Sequence, residues 1–234
     1  MDPYRKNAIA VGILFLACTA ATLLSYAFSG PYLKEQDTLA SLAEHSGSVI
    51  TGALMEFIWA ASAMGIAVWL YPVLRKSDGA LALWSVGFRM FEGIIVLIGT
   101  LCLLGLLSLS LGSASGAVPG DAALRVPGAL MLGVRDWAQY VLTIIAFNLG
   151  AMLYYTIMYR AGLVPRWLSG WGLIGTLMSL AAALITAYRQ SFGEMSSHEL
   201  LNVPIALNEL ILAVWLILKG FNPTAPDAGT AGPE

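Results

Sequence analysis

Charge is scarce in this chain: Asp, Glu, Lys and Arg together make up 11% of its 234 residues, and the mean hydropathy is +0.76. A soluble domain carries roughly a quarter of its residues charged, so a water-soluble fold is excluded, and the length allows one membrane bundle. Cysteine is nearly absent. Cys18 and Cys102 both fall inside apolar runs, where a thiol behaves as a small hydrophobe, and neither a disulfide nor a zinc site is expected. Histidine is equally rare, and His45 and His198 lie outside the apolar runs. That excludes paired axial histidines for haem and the Glu-x-x-His of di-iron bundles. A surface metal site around His198, Met195 and Glu199 is a minor alternative to ordinary loop histidines. Basic residues are not in excess either: the net charge of -2 gives no footprint for nucleic acid and no polybasic lipid switch. Walker, Gly-x-Ser-x-Gly and His-Glu-x-x-His motifs are all missing. No cofactor and no catalytic residue is assigned.

What the chain has is long hydrophobic runs. Six of them, roughly 7–28, 48–72, 81–111, 128–159, 167–188 and 199–220, each meet the length of about 20 residues that a spanning helix needs. The expected fold is all-α, a bundle of six transmembrane helices occupying residues 1–221, with a proline-containing tail at 222–234 expected to be disordered. Arg5 and Lys6 before the first run, and Phe15-Leu16-Ala17-Cys18 within it, imitate a signal sequence. The apolar run continues to about Phe28, so an uncleaved first helix is expected. Seven loop Lys and Arg residues fall on the side of the termini and three on the other, which puts both ends in the cytoplasm. The loop from Ser29 to Ser48 can form a short surface helix, while Gly112 to Pro127, rich in Gly, Ser, Ala and Pro, is expected to be irregular. Gly172, Thr176, Ser179 and Ala183 recur at spacings of four, three and four, as Ala8 and Gly12 do at four, and small residues on one stripe allow close helix approach.

Against that background, the few charges inside the runs stand out. Arg89 and Glu92 are three residues apart on the third run, Arg135 and Asp136 lie on the fourth, Glu56 on the second and Glu209 on the sixth. An ionised side chain at mid-membrane costs about 2.5–3.5 kcal/mol even on the lenient insertion scale, so these groups must face protein. The simplest arrangement is one shared polar centre, supported by Gln139, Tyr140, Asn202 and Asn208 at helical spacings from the acids, with Asn148 a further candidate. Four acids then face two arginines. Full ionisation leaves two negative charges unbalanced, so either carboxyls carry protons or a cation completes the site.

Several segments together resemble a bacterial family of integral membrane proteins, domain of unknown function 4386. The likeness is carried by Tyr71-Pro72-Val73-Leu74-Arg75, Gly87-Phe88-Arg89-Met90-Phe91-Glu92-Gly93, the run from Tyr159 to Gly175 that includes Pro165-Arg166-Trp167-Leu168-Ser169, and Pro204-Ile205-Ala206-Leu207-Asn208-Glu209. The resemblance implies a multi-pass protein of the bacterial inner membrane and supplies no activity.

Three functional readings follow. The leading one is binding or transport of a small amphipathic or cationic molecule, or of protons, at Glu56, Arg89, Glu92, Arg135, Asp136 and Glu209. The second is an intramembrane enzyme on a lipid-like substrate, with an acid as general acid/base. The third is a scaffold or accessory subunit whose ion pairs only lock helices together. Membrane lipids are the expected partners, and the oligomeric state is left open.

Overall fold

The structure is a computed structural model that describes residues 3–35, 37–116, 121–192 and 198–222. Of the tail expected to be disordered, Asn222 is described and donates to the Leu163 and Gly162 carbonyls at 2.7 and 2.9 Å; the rest of it and Met195 lie outside the described residues. Its helices are α1 (Pro3–Ser29), α2 (Thr38–Glu44), α3 (Ser46–Leu74), α4 (Gly79–Ala114), α5 (Asp121–Trp137), α6 (Thr143–Ala161), α7 (Arg166–Arg189) and α8 (Val203–Leu218). A π turn, Ala138–Leu142, joins α5 to α6 without a break, and short 3-10 turns at Pro31–Leu33 and Glu199–Asn202 precede α2 and α8. No strand occurs among the described residues.

Six helical units are long and apolar enough to cross a membrane: Tyr4–Ser29, Ser46–Leu74, Gly79–Ala114, Leu124–Ala161, Arg166–Arg189 and Glu199–Leu218. Large apolar side chains such as Leu23, Leu83, Leu101, Ile174 and Leu218 stand on their outer faces at 61–69% exposure. A soluble monomer does not tolerate so much contiguous apolar surface; a hydrocarbon solvent does.

The six units form a ring in chain order. Each packs on its sequence neighbours, and α8 closes the ring against α1. Close approach at that seam depends on Gly12, whose missing Cβ would stand 2.7 Å from the Ala213 carbonyl oxygen. Arg5 finishes the seam by donating to the carbonyls of Leu216, Ile217 and Leu218 at 3.3, 2.6 and 3.3 Å. These C-terminal carbonyls of α8 have no intrahelical donor, and the cation suits the negative helix end. The stripe on α7 works the same way: the Tyr155 ring occupies the space a Cβ on Gly172 would need, and a Cβ on Gly175 would stand 3.0 Å from Ile205 Cα.

Two aromatic contacts cross the ring between α1 and the unit opposite it. Phe15 meets Tyr154 edge-on with centroids 6.3 Å apart, nearer the face that carries both termini. Tyr26 stacks on Tyr140 at 6.2 Å, nearer the opposite face. On α1 the two levels are eleven residues apart, or about 16 Å.

The surface-helix expectation matches α2, which Asp37 caps by accepting from the Ala40 amide at 3.2 Å. The irregular connection was drawn too wide. Helix α4 continues to Ala114 and α5 starts at Asp121, so Asp121 to Pro127 is helical, with Pro127 inside the helix. Ala122, Ala123 and Leu124 are strong helix formers, and α5 packs along α4, which outweighs the local signal of Gly and Pro.

Candidate functional site

Arg135, at the end of α5, reaches across to α3 and α4. Its guanidinium forks onto Glu56, with Nη1 donating to Oε2 at 3.2 Å and Nη2 donating to Oε1. Nη1 also donates to the Gly99 carbonyl at 2.8 Å. The Thr100 hydroxyl lies 2.7 Å from Glu56 Oε2 and 3.0 Å from the Val96 carbonyl. It has one proton, and the nearer, charged acceptor takes it. Arg135 and Glu56 are 4% and 2% exposed, and this bidentate pair of one base and one acid joins three helices.

Arg89 and Glu92 are as deeply buried and less well bonded. Both are on α4, and Arg89 Nη1 lies 2.8 Å from Glu92 Oε2. The contact is close without hydrogen-bond alignment, and Glu92 Oε2, Arg89 Nε and Arg89 Nη2 have no hydrogen-bond partner in the protein. The arginine stem lies across Gly150, where a Cβ would stand 3.2 Å from Arg89 Cγ, and the guanidinium sits 5.2 Å from the centroid of Phe147. A second acid lies in the neighbourhood of this cation. Glu209 on α8 accepts from the Tyr154 hydroxyl at 3.3 Å and lies within electrostatic reach of both Arg89 and Glu92.

Along α8, Glu209 is flanked at −4, +3, +4 and +7 by buried Ile205, Leu212, Ala213 and Leu216, so it points inward. Its side chain is half-buried. Cys18 on α1, beside Arg89, is likewise half-buried between buried Phe15 and Ala21.

The expected single centre is therefore two. Thr100, which marks the Glu56–Arg135 pair, is eight residues beyond Glu92 on α4, or about 12 Å along the axis. Asp136 joins neither: it is half-buried and has no hydrogen bond or ion pair among the described residues. The π turn carries Gln139 and Tyr140. Gln139 packs into the gap at Gly99, with Nε2 3.5 Å from the Val96 carbonyl, and Tyr140 stacks with Tyr26. Asn208 braces helices, accepting from the Tyr155 hydroxyl at 2.6 Å and donating to the Leu168 carbonyl at 2.8 Å. Asn202 accepts from Ser179 at 2.7 Å and donates to Glu199 at 3.0 Å, and Ser179 accepts from Asn148 at 2.9 Å.

Sequence reasoning passed over Thr100, Tyr154, Tyr155 and Ser179. Hydroxyls inside apolar runs carry no spacing signal that separates a partner of an acid from a packing residue. Two grooves are open on the surface: about 970 Å³ among α2, the end of α4 and α5, and about 450 Å³ between α4 and α5. Neither is lined by Glu56, Arg89, Glu92, Arg135, Asp136 or Glu209. Among the described residues no group of three His, Cys, Asp or Glu side chains is placed to hold a metal ion.

No curated protein and no solved structure matches this chain. Residues 10–220 match the model of the family described as Domain of unknown function (DUF4386). That stretch holds all six apolar helices apart from their outermost residues and every buried charge described above, and the chain belongs to the DUF4386 family.

Proposed function

We propose that the protein binds a small cationic or amphipathic molecule, or exchanges protons, inside the ring at Arg89, Glu92 and Glu209, and passes it across the membrane. One observation carries this reading: a buried guanidinium with two carboxyl groups within electrostatic reach leaves Nε and Nη2 without protein hydrogen bonds, and one of those carboxyl side chains is only half-buried. An acid excess in low dielectric is satisfied by a proton or by a bound cation, and ionisable groups at membrane depth are functional candidates by default. The distribution of loop Lys and Arg favours a cytoplasmic location for both termini, and the family resemblance favours a bacterial inner membrane.

Native mass spectrometry of the protein released from mild detergent tests the reading. A small molecule that co-purifies with the wild type and is lost from Glu92→Gln and Glu209→Gln supports it. Wild type and both variants emerging equally empty, with proton flux into proteoliposomes also unchanged, would overturn it. The locking alternative has its own support at Glu56 and Arg135, where charges balance and donors are used, and we assign that pair to structure.

A further inference from the structure

The ring carries a second cluster, toward the face opposite the termini, that the reading above does not use. Tyr26 of α1 stacks on Tyr140 of the π turn, Tyr140 lies 6.4 Å from Phe192 just past α7, and Phe192 meets Trp137 edge-on at 5.3 Å. The rings form adjoining walls, with successive interplanar angles of 29°, 31° and 63°.

Tyr26 and Trp137 retain 37% and 40% exposure, so the cluster keeps accessible ring surface, and Tyr26 meets its partner Tyr140 across the ring of helices. Asp136, one turn before Tyr140, stands beside them within electrostatic reach of its hydroxyl. The nearest base, Arg135, commits its guanidinium to Glu56 and Gly99. Glu199 adds another acid within reach of Tyr26 and Tyr140; it accepts from Asn202 and Thr186 and lies 3.8 Å from His198.

Aromatic faces attract a cation through the ring quadrupole within about 6 Å of the centroid, and a carboxylate beside them supplies the long-range charge. A compact metal cation gains more from oxygen ligands than from ring faces. An alkylated ammonium ion, with diffuse charge and an apolar surface, gains from both.

We propose that Tyr26, Tyr140, Phe192 and Trp137, together with Asp136, form a vestibule that binds organic ammonium ions before they reach Glu209. The direction of travel rests on the function proposed above; the binding step does not.

The test is calorimetric titration of the full-length protein in detergent with tetramethylammonium chloride, at constant ionic strength against potassium chloride. Wild type binds tetramethylammonium saturably and potassium does not compete. Asp136→Asn weakens binding about tenfold or more, and Tyr140→Leu or Tyr26→Leu about tenfold, while Tyr140→Phe, which keeps the ring face, stays within about twofold. Thermal melting within a few degrees of wild type qualifies each variant. No saturable binding, no effect of Asp136→Asn, or equal loss in Tyr140→Phe and Tyr140→Leu would each overturn the vestibule. Binding lost only in Glu209→Gln would overturn it too, while leaving the deeper site standing.

Discussion

Two arginines are buried in this bundle to nearly the same degree, 1% for Arg89 and 4% for Arg135, and their surroundings could hardly differ more. Arg135 meets one acid from another helix, bidentately, with a threonine and a backbone carbonyl filling the remaining positions. Arg89 meets Glu92 without hydrogen-bond alignment, has a second acid, Glu209, within electrostatic reach, and leaves Nε and Nη2 without protein hydrogen-bond partners. Burial alone does not separate a lock from a site; the count of charges and of satisfied donors does. A balanced, saturated pair gains nothing from a ligand. An unbalanced and undersaturated one gains from a proton or a cation.

The comparison breaks most sharply by removing one member of the balanced pair. Glu56→Gln or Arg135→Gln leaves a buried charge uncompensated and is expected to cost about 3–5 kcal/mol, read as a large fall in thermal stability in detergent. The double variant Glu56→Gln with Arg135→Gln restores neutrality and should recover much of that loss. Single variants as stable as wild type would show that the pair is not a lock.

Thr100→Val comes next. The hydroxyl serves the charged acceptor, so its loss belongs at the upper end for side-chain hydrogen bonds within membranes, about 1–2 kcal/mol. Valine keeps the shape, and the Glu56–Arg135 contact remains. Stability unchanged within about 0.3 kcal/mol would place the Thr100 proton on the Val96 carbonyl instead.

At Glu209 stability and ligand retention are expected to part company. Glutamine preserves the volume and can accept from Tyr154, so Glu209→Gln should shift stability by about 1 kcal/mol or less while abolishing retention of a co-purifying cation. A variant that unfolds as readily as Glu56→Gln would make Glu209 a structural anchor and erase the distinction between the two arginines.

This distinction was only partly legible from the sequence. The six spans, the helix near Thr38, and the small stripe on α7 follow from hydropathy and spacing, because lipid and close packing constrain composition directly. That Arg89, Glu92, Glu56 and Arg135 face protein follows from the cost of charge in hydrocarbon. Which acid each arginine would choose does not follow. Arg135 and Asp136 are sequence neighbours and point about 100° apart on a helix, so Asp136 remains unpaired while Arg135 reaches Glu56 on another helix. The π turn rotates everything after it relative to α5, and no residue in Ala138–Leu142 announces it. Polar partners such as Thr100 and Tyr154 read as filler until the helices are placed around them.

The smallest effect bears on the same contrast from the other side. Tyr154→Phe removes the hydrogen bond that Glu209 accepts at 3.3 Å, while keeping the ring against Phe15 at 6.3 Å. A long bond to a half-buried acid contributes little, about 0.5 kcal/mol on the membrane scale, because water can replace the hydroxyl. Thr100→Val has no such substitute, since Glu56 is 2% exposed. Unfolding of the two variants side by side should rank Thr100→Val well below Tyr154→Phe in stability. A reversed order would mean that Glu209 is sealed and Glu56 is wet, and it would move the candidate site from Arg89 to Arg135.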